Sequence, residues 1–180
     1  MKATLQKLFL GSVLCLGLFS SPAHAWKIEA GADYPVVAGT LGQNFKSNTG
    51  FSGAFYFEPL LNPKINNFIS AAYAPLTLQA DGKTGYRMVP ILAGLELPGQ
   101  VFKDLETTFA VAAGTTLTYL NVTNSRSSSV VAHFTAEIKP GVQYWVDDHF
   151  EIYARVPINY IFSSNTLTEI AYTVGVGYKF

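Results

Sequence analysis

The stretch Glu169-Ile170-Ala171-Tyr172-Thr173-Val174-Gly175-Val176-Gly177-Tyr178-Lys179-Phe180 decides the fold. Ile170, Tyr172, Val174, Val176, Tyr178 and Phe180 are apolar or aromatic, and the residues between them are small or polar. A strict period of two means a strand with one greasy face. The strand runs to the last residue, an aromatic, where soluble domains usually carry a loose polar tail.

The same pattern recurs upstream. Phe150, Ile152, Ala154, Val156, Ile158, Tyr160 and Phe162 alternate with Glu151, Tyr153, Arg155 and Asn159. Ala132, Phe134, Ala136, Ile138, Val142 and Tyr144 alternate with His133, Thr135, Glu137, Lys139 and Gln143. Trp26, Ile28, Ala30, Ala32, Tyr34 and Val36 alternate with Lys27, Glu29, Gly31 and Asp33. Three further strands centre on Phe51–Glu58, Met88–Leu97 and Phe109–Tyr119, although Leu92 breaks the alternation. In Asn67–Leu76 the two faces are hard to tell apart.

This predicts eight strands of about nine to eleven residues, the length that crosses a bilayer when tilted. Turns rich in Gly, Pro, Asn, Asp or Ser fall near 38–50, 59–66, 77–84, 98–105, 121–129, 147–149 and 163–168. The segments 59–66 and 98–105 are long for turns on the side of the chain ends. Pro35, Pro90, Pro140 and Pro157 fall in or near strands and are expected at bulges or strand ends. An even strand number lets the first strand pair with the last, which leaves no open edge.

Composition agrees. Charged residues are 13% and aromatics 14% of the chain, against roughly 25% charged in soluble proteins. No apolar segment of helix-spanning length lies in 26–180. A membrane protein without such a segment is an all-β, antiparallel up-and-down transmembrane barrel. The N-terminus reads separately: Lys2 and Lys7, the apolar run Leu8–Phe19 and Ala23-His24-Ala25 predict a secretory signal peptide over 1–25, cleaved before Trp26. Leu14 before Cys15 argues against a lipid attachment site. Without Lys2 and Lys7, ten basic residues face twelve acidic ones, a net charge of −2 that excludes nucleic acid as a partner. Cys15 is the sole cysteine, so the mature chain forms no disulfide.

Parity places Lys27, Glu29, Asp33, Glu58, Glu96, Glu137, Lys139, Glu151, Arg155, Glu169 and Lys179 on the inward face. Charges at membrane depth must find partners or water. A hydrogen-bonded plug is the expected arrangement, with a narrow conductance as the alternative. Trp26, Phe57, Tyr144, Phe150, Tyr178 and Phe180 group at one end of the strands, and Tyr34, Phe51, Tyr119, Tyr160 and Phe162 at the other, as interface girdles.

The strand Arg87–Leu95, followed by Phe109–Gly114 and the ending Val174–Phe180, resembles the small eight-stranded outer-membrane barrels, the group of outer membrane proteins A, X and W. The resemblance implies an outer-membrane location after export, and contact with outer-membrane lipids including lipopolysaccharide. It also implies that Tyr178 and Phe180 form the terminal signal read by the barrel-assembly machinery. The short outer loops argue against a role carried by long ones.

Enzymatic readings are weaker. His133, Thr135 and Glu137 faintly resemble the His-x-Ser segment of lipid A deacylases, but Thr replaces Ser and all three face inward, away from lipid. Asp147-Asp148-His149 has ligand-type side chains, yet turn chemistry accounts for it, and no metal or cofactor is expected. Arg126 and Asp81-Gly82-Lys83 read as solvated loop tips. A soluble periplasmic lipocalin-like barrel would need the two faces exchanged.

Overall fold

The alternation closes into a cylinder. A computed structural model describes residues 26–57, 64–79, 85–121, 129–163 and 166–180. Its strand segments are β1 (Lys27–Val37), β2 (Phe45–Ser47), β3 (Gly50–Phe57), β4 (Asn66–Leu78), β5 (Gly85–Gln100), β6 (Leu105–Asn121), β7 (Ser129–Trp145), β8 (Phe150–Arg155), β9 (Ile158–Phe162) and β10 (Leu167–Lys179). β2 with β3, and β8 with β9, are each two pieces of one stave, so the barrel has eight staves. Neighbouring staves are antiparallel, and β1 pairs with β10 to shut the wall.

Its stagger can be read from the ladders. Stepping across from Lys27 leads through Tyr56, Phe68, Gly94, Ala112, Glu137, Asn159 and Glu169. The walk returns to the first strand at Val37, ten residues further along. Eight staves with that stagger tilt by roughly 40° around a cylinder of about 8 Å radius. Every residue on this walk faces inward, which fixes what the lumen contains.

Strand lengths differ from the sequence expectation. β5, β6 and β7 have 16, 17 and 17 residues, because their ladders continue past the length needed to cross hydrocarbon. The turn expected over 98–105 shrinks accordingly to four residues, since Pro98, Gly99 and Gln100 stay paired with Thr108, Thr107 and Glu106.

None of the four prolines marks a bulge; Pro157 lies at a strand end, between β8 and β9, whereas Pro90 and Pro140 lie inside β5 and β7. Pro90 sits where the β4–β5 ladder lacks pairs, between Ala71↔Ile91 and Ala74↔Met88. Pro140 and Pro157 flank a second gap, between Ile138↔Ile158 and Gly141↔Arg155. Register is the same on both sides of each gap, so no residue is inserted; the ladder omits pairs where a donor is missing. Pro35 lies beyond the β1–β3 ladder, which ends at Asp33↔Gly50. The bulge is elsewhere: Asn48, Thr49 and Gly50 face only Ala74 and Pro75, between Ser47↔Leu76 and Phe51↔Tyr73. A side chain at position 50 would run into the Tyr73 carbonyl, so glycine permits the bulge.

Orientation is inside out relative to a soluble protein. Ile28, Ile91, Phe109, Phe134, Ile152, Val174 and Val176 are exposed on the outer wall, while Lys27, Glu29, Glu96, Glu151 and Arg155 are buried. The ambiguous segment becomes β4, with Phe68, Ala74 and Leu76 inward and Ile69 outward. Leu92 is in phase after all: it faces inward and packs with Tyr56, Phe68, Ala110 and Ala112.

Candidate functional site in the lumen

Three layers follow one another along β1. Lys27 and Glu29 lie in a layer of paired charges nearest Trp26. Asp33 lies in a chamber above it, and Val37 in an apolar layer above that.

The paired layer centres on Arg155, brought inward by the β8 alternation. Its guanidinium holds the Glu29 carboxylate with both terminal nitrogens, one bond being Nη2 to Oε1 at 2.7 Å. The same group donates to the Tyr56 hydroxyl at 2.7 Å and to Gln143 Oε1 at 3.3 Å, and lies 3.2 Å from Glu96 Oε2. The Tyr56 hydroxyl in turn donates a hydrogen bond to Glu96 Oε2 at 2.9 Å. Lys27 bridges Glu29 at 2.8 Å and Glu151 at 2.9 Å, and stands over the Tyr56 ring. A forked, charge-assisted pair is the strongest hydrogen-bonding arrangement available to buried ions. Here it ties β1, β3, β5, β7 and β8 together through the middle of the barrel.

Space for these side chains comes from the terminal strand. Gly175 and Gly177 face inward opposite their ladder partners Tyr153 and Glu151. A Cβ at 175 would lie 2.5 Å from Tyr153 Cζ, and one at 177 would lie 2.8 Å from Glu151 Cγ. The Val-Gly-Val-Gly pattern therefore combines an outward wall with inward room.

The chamber holds about 50 Å³. Asp33 Oδ1 accepts from Thr173 at 2.6 Å and from Ser52 at 3.0 Å. Asn159 donates its amide to Glu169 at 3.1 Å, and Lys139 lies 3.3 Å from Glu137. The apolar layer beyond it comprises Val37, Ala74, Leu76, Met88 and Ile161, with Phe45, Tyr86 and Leu167 packed against it.

Of the inward charges read from sequence, Lys27, Glu29, Glu96, Glu151 and Arg155 meet in the paired layer. Asp33, Glu137, Lys139 and Glu169 surround the chamber. Lys179 stands apart, half-buried, with its ammonium 5.9 Å from the Trp145 ring. Glu58 lies outside the described residues, as do the expected signal peptide, Asp81-Gly82-Lys83 and Arg126. The neutral members Tyr56, Gln143 and Tyr153 were absent from the sequence-based set. Their inward parity was the available signal, but parity says nothing about who sits across the lumen.

The hydrolase trio does not assemble. Thr135 is fully buried and bonds the Thr116 hydroxyl at 2.7 Å, and Glu137 turns to Lys139. Among the described residues, no cluster of three His, Cys, Asp or Glu side chains is placed to hold a metal. Asp147 serves its turn: Oδ1 accepts the backbone N–H groups of His149 and Phe150 at 2.7 Å each, which holds its carboxyl below the usual carboxylate range.

The girdle aromatics point outward, with Tyr34, Phe51, Tyr144, Tyr160, Phe162, Tyr178 and Phe180 exposed and Trp26, Phe57, Tyr119 and Phe150 half-buried. Trp26 meets Phe55 edge-on, Phe51 stacks on Tyr73, and Phe134 lies tilted against Phe162. Phe55, Tyr73 and Phe134 were not among the girdle residues read from sequence.

Comparison with solved structures identifies the architecture. Neisserial surface protein A superimposes with a TM-score of 0.68 at 16% identity, over 88% of this chain and 99% of that one. The chain has the fold of the small eight-stranded outer-membrane barrels. Ail, the attachment invasion locus protein of Yersinia pestis, matches at 0.56 and 14% identity over 87% of this chain and 97% of its own. The outer membrane protein OprG of Pseudomonas aeruginosa matches at 0.56 and 15% over 88% and 96%. No known protein-family pattern matches the sequence. No curated protein matches it at significant similarity.

Proposed function

We propose that the chain is an exported, non-enzymatic integral protein of the outer membrane, with a structural or interaction role and a lumen sealed by its own side chains. The observation that carries this reading is the inversion of the wall, a continuous apolar exterior around buried, ion-paired charges. Such an exterior larger than a few hundred Å² is unsuited to water. A charged interior is unsuited to an apolar ligand, so a lipocalin-like carrier is disfavoured. The paired layer and the apolar layer both span the lumen and support a plug over a conducting pore. Among the described residues, Thr135 bonds Thr116 and Glu137 contacts Lys139, which does not favour a lipid A hydrolase.

The proposed partners follow from the wall. Lipid acyl chains meet the apolar band. Arg87 and Lys46 are exposed at the end opposite Trp26 and Phe180, where the phosphates of lipopolysaccharide would neutralise them. Tyr178 and Phe180, edge to face at 5.1 Å, would present the terminal strand to the assembly machinery. Residues 1–25 would be removed on export.

Photolabelling from a lipid-borne probe tests the reading. Cysteines at Ile152 and Val174 should be tagged in the membrane fraction and those at Glu151 and Thr173 spared. The opposite pattern, or a chain recovered in the soluble periplasm, refutes it. Boiling should shift gel mobility, as a detergent-resistant barrel requires.

A further inference from the structure

We propose that the chamber beneath the apolar layer is a binding site for one small monovalent cation that keeps part of its water. This goes beyond the membrane role, because it concerns the inside of the barrel alone.

Four carboxylates, Glu29, Asp33, Glu137 and Glu169, border the chamber with two cations, Lys139 and Arg155. Glu29 is held by Arg155. Burial leaves Asp33 5% exposed, Glu137 7% and Glu169 2%. Two negative charges in excess among side chains this buried call for protonation or for a counter-charge. The layer below offers none. Its cations, Lys27 and Arg155, are engaged by Glu29, Glu96 and Glu151.

The unused hydrogen-bonding atoms point to the same guest. Asp33 Oδ2, Glu137 Oε1 and Asn159 Oδ1 are buried acceptors without a hydrogen-bond donor, and all three residues line the chamber. Glu137 Oε1 keeps its contact with Lys139 as an ion pair only. The Asn159 amide is oriented by donating to Glu169, which turns its carbonyl to the remaining side. A set made of oxygen acceptors and surplus negative charge fits a hard cation rather than an anion or an apolar molecule.

Size and spacing narrow the class. About 50 Å³ gives room on the order of three or four water-sized guests. The acidic groups do not converge closely enough to seize a metal directly. That favours a singly charged, weakly hydrated ion such as K⁺, Rb⁺ or ammonium, reached partly through water.

Equilibrium dialysis of the folded barrel in a non-ionic detergent against radioactive Rb⁺ in choline chloride tests the site. The expected result is about one more Rb⁺ bound per barrel than by the isosteric double variant D33N/E169Q, with competition by K⁺. The gel-mobility shift on heating checks that both proteins are folded. Should that variant fail to fold, E137Q takes its place as the comparison. Equal Rb⁺ uptake by folded wild type and folded variant overturns the proposal, and the chamber then holds water or protonated carboxyls. Uptake that persists in the variant assigns the bound ions to the outer surface and overturns it as well.

Discussion

Two neighbouring layers of the lumen bury charge about equally deeply and give it different neighbours. Around Arg155 every carboxylate contacts a cation, and the hydroxyl of Tyr56 and the amide of Gln143 add to the shell. Glu96 Oε1, Glu151 Oε2 and Arg155 Nε nevertheless have no hydrogen-bond partner. In the chamber, a few residues beyond Glu29 along β1, Asp33 and Glu169 are met by hydroxyls and an amide instead of cations. Burial by itself thus says little about a group's contribution. What counts is whether the neighbours that replace water return the same bonds.

The largest effect should come from breaking the ion-paired layer. Arg155→Met leaves Glu29 and Glu96 without their guanidinium, and should cost about 3–5 kcal/mol of stability against urea in lipid vesicles. Adding Glu29→Gln should recover part of that loss; a double variant as weak as two independent lesions would deny the coupling. Next comes the space the layer occupies. Gly175→Ala drives a methyl group into the Tyr153 ring and should cost about 1–3 kcal/mol. In a Tyr153→Ala background the same change should cost less but not nothing, because the new Cβ still lies 2.4 Å from the Ala30 carbonyl oxygen.

The comparison sharpens when one chemical change is made in both layers. Glu29→Gln should lower the unfolding midpoint. Glu169→Gln, measured in choline chloride, should leave it unchanged or raise it, because it removes a charge without a mate. Midpoints that fall alike would erase the distinction between the layers.

The smallest effect lies outside both layers. Asp147 is held ionised by two backbone N–H groups, so its folded-state pKa lies below its unfolded one. Its stabilisation is complete above the unfolded value, near the usual carboxylate range, and is lost as pH falls through the depressed folded value. Asp147→Ala should therefore lower the midpoint slightly at neutral pH and match wild type in strong acid, read by thermal unfolding at a series of pH values.

Much of this architecture was legible because lipid and lumen impose opposite demands on alternate residues. Ile152 and Glu151 announce their faces by chemistry alone. Where the lumen is itself apolar the contrast disappears, as in β4, with Phe68, Ala74 and Leu76 inward against Ile69 outward, and at Leu92. Pro90 and Pro140 were misplaced because a strand pattern does not reveal where a ladder drops pairs, while Pro157 does fall at a strand end. Lumen partnerships were the least legible. Arg155 and Glu29 are 126 residues apart, and parity gives a side chain's face without giving what it meets across the cylinder.

That separation has a consequence for how the wall comes to exist. The guanidinium and its acceptors on β1 and β5 do not neighbour each other in any unrolled sheet, so their mutual neutralisation arrives only when the two margins meet. A partly assembled sheet in hydrocarbon would expose Arg155 at full solvation cost. Joining the margins and accepting the membrane as solvent are, energetically, a single act.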